Sequence, residues 1–149
     1  VNYSSTKFLT LALNIKSDGL AKLIHEQLAT KDCERLGCFV FDMSVPDMRD
    51  YFSYGFNVYA RLSEVEPTPA WITACSGVWM DSFESQWFDL DLVREYLSKN
   101  KKVCIVSSEL HGRDRSELWN LIHPLRNEAG LMLCTDFPLE ADRFFNGRS

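Results

Sequence analysis

No run of apolar residues in this sequence exceeds about six, far short of the roughly 20 that a bilayer-spanning helix needs. No membrane span is expected. The opening stretch VNYSSTKFLT has no basic segment leading into an apolar one, so it is not expected to act as a secretory leader. Blocks of like charge are missing too, and the basic residues form no stripe interleaved with aromatics. With a net charge of only −5, this argues against nucleic acid as a partner. The five cysteines, Cys33, Cys38, Cys75, Cys104 and Cys134, are odd in number and never spaced C-x-x-C. Most lie inside apolar runs, which points to buried free thiols in a reducing, cytoplasmic compartment rather than a disulfide framework or metal cluster. A phosphate loop, G-x-S-x-G, H-E-x-x-H and G-x-G-x-x-G are all absent, so no stand-alone motif names a chemistry.

What the chain does contain is a repeated pattern within a globular composition, 149 residues with 46% hydrophobic and 25% charged. No linker or composition break divides it, and residues 1–149 read as one α/β domain. The recurring unit is an apolar run, a polar loop and a helical stretch. The runs LTLALNI (9–15), CFVFDM (38–43), NVYARLS (57–63), GVWMDSF (77–83), KKVCIVSS (101–108) and LMLCTDF (131–137) read as six strands, parallel in one sheet. Asp18, Ser44 and Asp89 are placed to cap the helices that follow the first, second and fourth strands, while the stretch after 57–63 is irregular. Gly55 and Asn100 are placed to end two of those helices. Residues 116–129 read as a helix kinked by Pro124, and Pro138 opens a last one.

In parallel α/β folds ligands bind beyond the carboxyl ends of the strands. Here those ends carry Asn14 and Lys16, Asp42 and Ser44, Arg61 with Glu64, Asp81 with Ser82, Ser107 to His111, and Thr135 with Asp136. If the strands close one barrel, Lys16, Asp42, Arg61, Asp81, Glu109, His111 and Asp136 converge on one mouth. Alternation along tilted strands forbids Thr135 and Asp136 from both pointing inward, and Asp136 or Asp81 is the first to be given up. Plainer readings stand beside these: Arg61 and Glu64 can simply pair, His25 is a surface residue, and His123 is structural. His111 stands out because the loop SSELHGRD surrounds it with Glu109, Arg113, a glycine and a second carboxylate.

Several segments together carry a family resemblance. Gly130 to Pro138, G-L-M-L-C-T-D-F-P, is similar to the last strand of glycerophosphodiester phosphodiesterases, an apolar run closed by T-D-aromatic-P. Leu13-Asn14-Ile15-Lys16 resembles that family's third-strand E-I-K pattern, and FVFDMSVPDMRDYF its fourth strand and helix. The resemblance implies about six of the eight units of a TIM (β/α)8 barrel; a complete doubly wound open sheet is the alternative. It also implies a metal-dependent hydrolase of lipid metabolism that cleaves a glycerol phosphodiester to glycerol phosphate and an alcohol. Lys16 and His111 would then be catalytic, and Asp42, Arg61, Asp81, Glu109, Arg113 and Asp136 would bind the phosphorylated substrate. A divalent cation, Mg or Ca, is expected, with Asn14 standing where the family has a metal-binding glutamate. The family's H-R-G and H-D motifs do not occur, and no E-x-D precedes the Leu13–Lys16 stretch, so the chain alone is expected to be inactive. Its open barrel edges are expected to be covered by a second copy. A non-catalytic α/β domain that binds a ligand or partner is the competing reading.

Overall fold

The computed structural model describes residues 10–29 and 37–147. Cys33 and the opening segment 1–9 lie outside the described residues. Parallel strands alternate with helices, and the chain divides into two compact units, Val1–Tyr59 and Ala60–Ser149. Among the described residues no helix is long and apolar enough to cross a membrane.

In the first unit, β1 (Thr10–Asn14) and β2 (Gly37–Phe41) pair in parallel with Asn14 opposite Phe41. Phe39, Val40 and Phe41 are buried, as a near-continuous apolar strand demands. Helix α1 (Ala21–Ala29) starts later than expected. Its first turn is closed by the Ile24 N–H on the Leu20 carbonyl, so Asp18 does not cap it. Helix α2 (Val45–Ser53) is capped as expected: the Ser44 hydroxyl accepts from the Asp47 N–H at 3.4 Å, with Pro46 in the first turn. Its end is a Schellman turn. Gly55, at φ +75°, donates to the Phe52 carbonyl and Phe56 donates to that of Tyr51. The rings of Tyr51 and Phe56 meet at 5.4 Å, supplying the apolar contact that accompanies this motif.

Strand pairing corrects the single-sheet expectation. Val58 makes only one isolated parallel bridge, to Val40, so β1 and β2 form a two-stranded ladder apart from a four-stranded one. The latter has the order β3 (Tyr59–Leu62), β4 (Gly77–Met80), β5 (Lys102–Val106) and β6 (Leu131–Cys134), and β3 crosses the boundary between the units. β4, β5 and β6 are parallel neighbours, and the Asp81 N–H on the Leu62 carbonyl brings the ends of β3 and β4 together. Leu62, Val78, Met80, Val103 and Ile105 form the sheet's share of the second unit's buried core, packed with Phe88, Val93, Leu118, Ile122 and Leu125.

One helix of this unit ends where its sequence predicts, and another stops short. α3 (Leu90–Ser98) is capped by Asp89, whose side chain accepts from the Leu92 N–H at 3.0 Å, and it closes on Asn100 at φ +58°. A Cβ at Gly130 would lie 3.0 Å from Leu97 Cδ2, so a larger residue there needs that side chain to shift. The helix expected over 116–129 stops earlier. α4 (Ser116–Ile122) gives way to a 3-10 turn at His123–Leu125, since Pro124 has no N–H and its ring clashes with the preceding turn. Helix α5 (Pro138–Asn146) follows β6.

Candidate functional site at the carboxyl edge of the four-stranded sheet

Beyond β5 the chain makes a 3-10 turn, Ser108–His111. Gly112, at φ +72°, donates to the Glu109 carbonyl, and the Arg113 N–H then returns to that of Ser108 at 3.1 Å. This turn aims His111 at the end of β4, where its Nε2 lies 2.7 Å from Asp81 Oδ1. Asp81 is itself fixed. The same oxygen accepts the Ser82 N–H at 2.9 Å, and the Trp87 indole N–H donates to the Asp81 carbonyl at 2.7 Å. The Phe83 ring stands edge-on to the imidazole, centroids 5.1 Å apart. With side-chain exposures of 24% for His111 and 10% for Asp81, the pair is sheltered yet reachable from solvent. Asp81 holds one ring nitrogen, which leaves the other to take up or release a proton.

Glu109, expected to bind substrate, has both carboxylate oxygens engaged by neighbouring donors. One carboxylate oxygen accepts the Ser107 hydroxyl; the other accepts the Thr135 hydroxyl and, at 3.2 Å, the Asp136 N–H. Burial alone would raise its pKa, but the hydrogen bonds from Ser107, Thr135 and backbone N–H groups outweigh that and hold it below the usual carboxylate value. Glu109 therefore braces the ends of β5 and β6 and secures the turn that carries His111. Asp136 contributes only its backbone, with its side chain exposed. Of the two residues singled out to be given up, Asp81 meets His111, whereas Asp136 is exposed.

Arg113 reaches the same edge, donating from Nη2 to the Ser82 carbonyl. Arg61 does not pair with Glu64. Its Nε lies 3.2 Å from Glu66 Oε2, because Ser63 and Glu66 close a tight turn, and Glu64 instead accepts the Glu84 N–H at 2.6 Å. The supporting indoles went unrecognised in the sequence: Trp87 serves Asp81, and the Trp119 Nε1–H donates to the buried Ser107 Oγ at 2.8 Å. Their one available signal was that a buried tryptophan N–H needs an acceptor. His25 is an exposed surface residue beside Tyr54, and His123 packs against Phe144 and Phe145.

In the first unit, Lys16 at the end of β1 forms an ion pair with Asp42 at the end of β2. Asp42 sits at φ +72°, a left-handed conformation unusual for a residue with a side chain. Asn14 is exposed at the end of β1. These residues do not make a divalent-cation site by themselves. Asn14 carries no charge, the Asp42 carboxylate is engaged by an ammonium, and among the described residues no three His, Cys, Asp or Glu gather in a metal-holding group. Cys75 and Cys104 are buried free thiols, whereas Cys38 and Cys134 are only half-buried. No protein-family profile, curated protein or solved structure matches this chain.

Proposed function

We propose that this protein is a phosphodiester hydrolase of the glycerophosphodiester phosphodiesterase kind, with His111 as its proton carrier. The observation that supports the reading is the Asp81–His111 pair, sheltered at the carboxyl ends of adjacent parallel strands. In the reaction a water oxygen bonds to phosphorus, the bond from phosphorus to the alcohol oxygen breaks, and the departing alkoxide gains a proton. The imidazole supplies that proton, or takes up the one that the attacking water gives up, oriented by Asp81. Arg113 offers positive charge at the same edge, and the family resemblance gives Lys16 a similar duty toward the phosphate. The same resemblance makes the six strands part of a (β/α)8 barrel, whose open edges a second copy would cover. Its Mg or Ca ion would need ligands beyond those described here, and no step above depends on it.

The test is release of glycerol phosphate from glycerophosphocholine by the full-length protein. Turnover should fall by about 100-fold or more in His111→Asn, the range ascribed to a positioned acid–base, with a smaller loss in Asp81→Asn. Unchanged turnover in His111→Asn would remove the assignment. One observation favours the second reading, a non-catalytic ligand-binding domain: neutral Asn14 stands beside an ion-paired Lys16 where the family has a metal-binding glutamate. Absence of turnover with every glycerol phosphodiester would leave that reading in its place.

A further inference from the structure

Away from the carboxyl edge, α4 and α5 together line an open cavity of about 460 Å³. The head of α4 supplies Arg115, Ser116 and Trp119, and α5 supplies Glu140, Arg143 and Phe144, spaced to share one helix face. Neither His111 nor Asp81 is part of its lining. Contacts between the two helices hold the walls in place. Arg115 forms an ion pair with Glu140, and its guanidinium lies 5.1 Å from the centre of the Trp119 ring and 4.1 Å from that of Phe137. Trp119 meets Phe144 at 5.5 Å, while His123 and Phe145 back the same ring at 5.4 and 4.9 Å. Two lining groups are left over. The Phe144 ring, although pinned on several sides, is 39% exposed. Arg143 is exposed, and among the described residues its side chain has no partner.

We propose that this cavity binds a small aromatic carboxylate, with its ring against Phe144 and its carboxylate on Arg143. The charges of Arg115 and Glu140 cancel, so the Arg143 guanidinium is the charge of the lining that remains to be met, and an anion meets it. A guanidinium fork accepts carboxylate and phosphate alike. One uncompensated cation matches the single charge of a carboxylate better than the roughly −2 of a phosphate monoester. Size selects a small molecule over a segment of another protein, because sites for single small molecules span roughly 300–1,000 Å³. The ring of the ligand follows from Phe144, the exposed member of an aromatic cluster that one further ring extends. Since the walls are pinned before the ligand arrives, little ordering opposes binding. The proposal does not depend on the hydrolase reading.

The experiment is calorimetric titration of the full-length protein with 2-naphthoate, with acetate (charge without ring) and with 2-naphthalenemethanol (ring without charge). The naphthoate should bind with a dissociation constant on the order of 0.1 mM, within reach of a ligand of its size. Acetate and the alcohol should each bind at least about tenfold more weakly. Arg143→Gln, a change at an exposed position, should weaken the naphthoate by about tenfold, the loss expected for one charged hydrogen bond. Arg143→Lys keeps the charge without the fork and should fall between. Arg94→Gln, on α3 and outside the cavity, should change nothing. His111→Asn should change nothing either, which separates this cavity from the strand-end site where Arg113 is the cation. Loss of binding in His111→Asn with none in Arg143→Gln would place the anion at the strand ends and overturn the proposal. Binding of the alcohol as tight as that of the naphthoate would overturn it too, as would the absence of saturable naphthoate binding at millimolar concentration.

Discussion

Replacing Glu109 by alanine takes away the acceptor for the Ser107 and Thr135 hydroxyls and the Asp136 N–H. Thr135 and Asp136 border solvent, where water can replace the carboxylate. Ser107 is 0% exposed, and the Trp119 indole N–H already occupies its oxygen. Its hydroxyl proton would be left without a partner, which costs about 1–3 kcal/mol, while the two wetter bonds add little. A loss near 2 kcal/mol is therefore expected, read as a shift in the denaturant midpoint with unchanged slope. Glu109→Gln keeps one acceptor oxygen and should lose about half as much. The carboxyl's lowered pKa adds a signature of its own. The stability it contributes is present above the usual value of 4.5 and disappears as pH falls through the lower folded value. Wild type and Glu109→Gln should accordingly converge in acid. The Ser107→Ala/Glu109→Ala double variant should lose less than the sum of the single variants, since removing the hydroxyl removes the orphaned donor. An alanine variant within about 0.5 kcal/mol of wild type at neutral pH, the ordinary range of surface changes, would refute the bracing role. So would a glutamine gap that does not narrow in acid.

In the full-length protein, Lys16→Met should lower turnover far more than it raises KM, on the order of 3 kcal/mol of transition-state stabilisation; steady-state kinetics that show only a KM change would contradict its assigned role. Asn14→Glu should tighten Mg or Ca binding in a calorimetric titration if that position faces the family's cation, and unchanged affinity means that this part of the resemblance does not carry over. Burial pushes the Cys75 thiol up to about 11 and that of Cys104 to about 12, from an ordinary 9.0. Both should resist iodoacetamide at pH 8 in the native protein and react on unfolding. Because these shifts are upward, the unfolded thiols ionise first, and stability should fall as pH rises above 9. Rapid labelling of native Cys104 would contradict the burial.

The sequence by itself determined the strand–helix alternation. Its six apolar runs became the six strands, and Ser44, Gly55, Asp89, Asn100 and Pro138 stand where they cap, end or open helices. These are local matters of backbone conformation and of the nearest donors and acceptors, which short stretches of chain encode. Strand-end polarity was legible for the same reason. Who partners whom was not. Asp81 meets His111 across 30 residues and Glu109 reaches Thr135 across 26, while Arg61 takes Glu66 and Glu64 turns to Glu84. Nothing in local propensity distinguishes a carboxylate that braces two strands from one that waits for a substrate. Only strand order and the pointing of each side chain decide which donors a carboxylate meets, and these arise when the strands pair and the core closes beneath them.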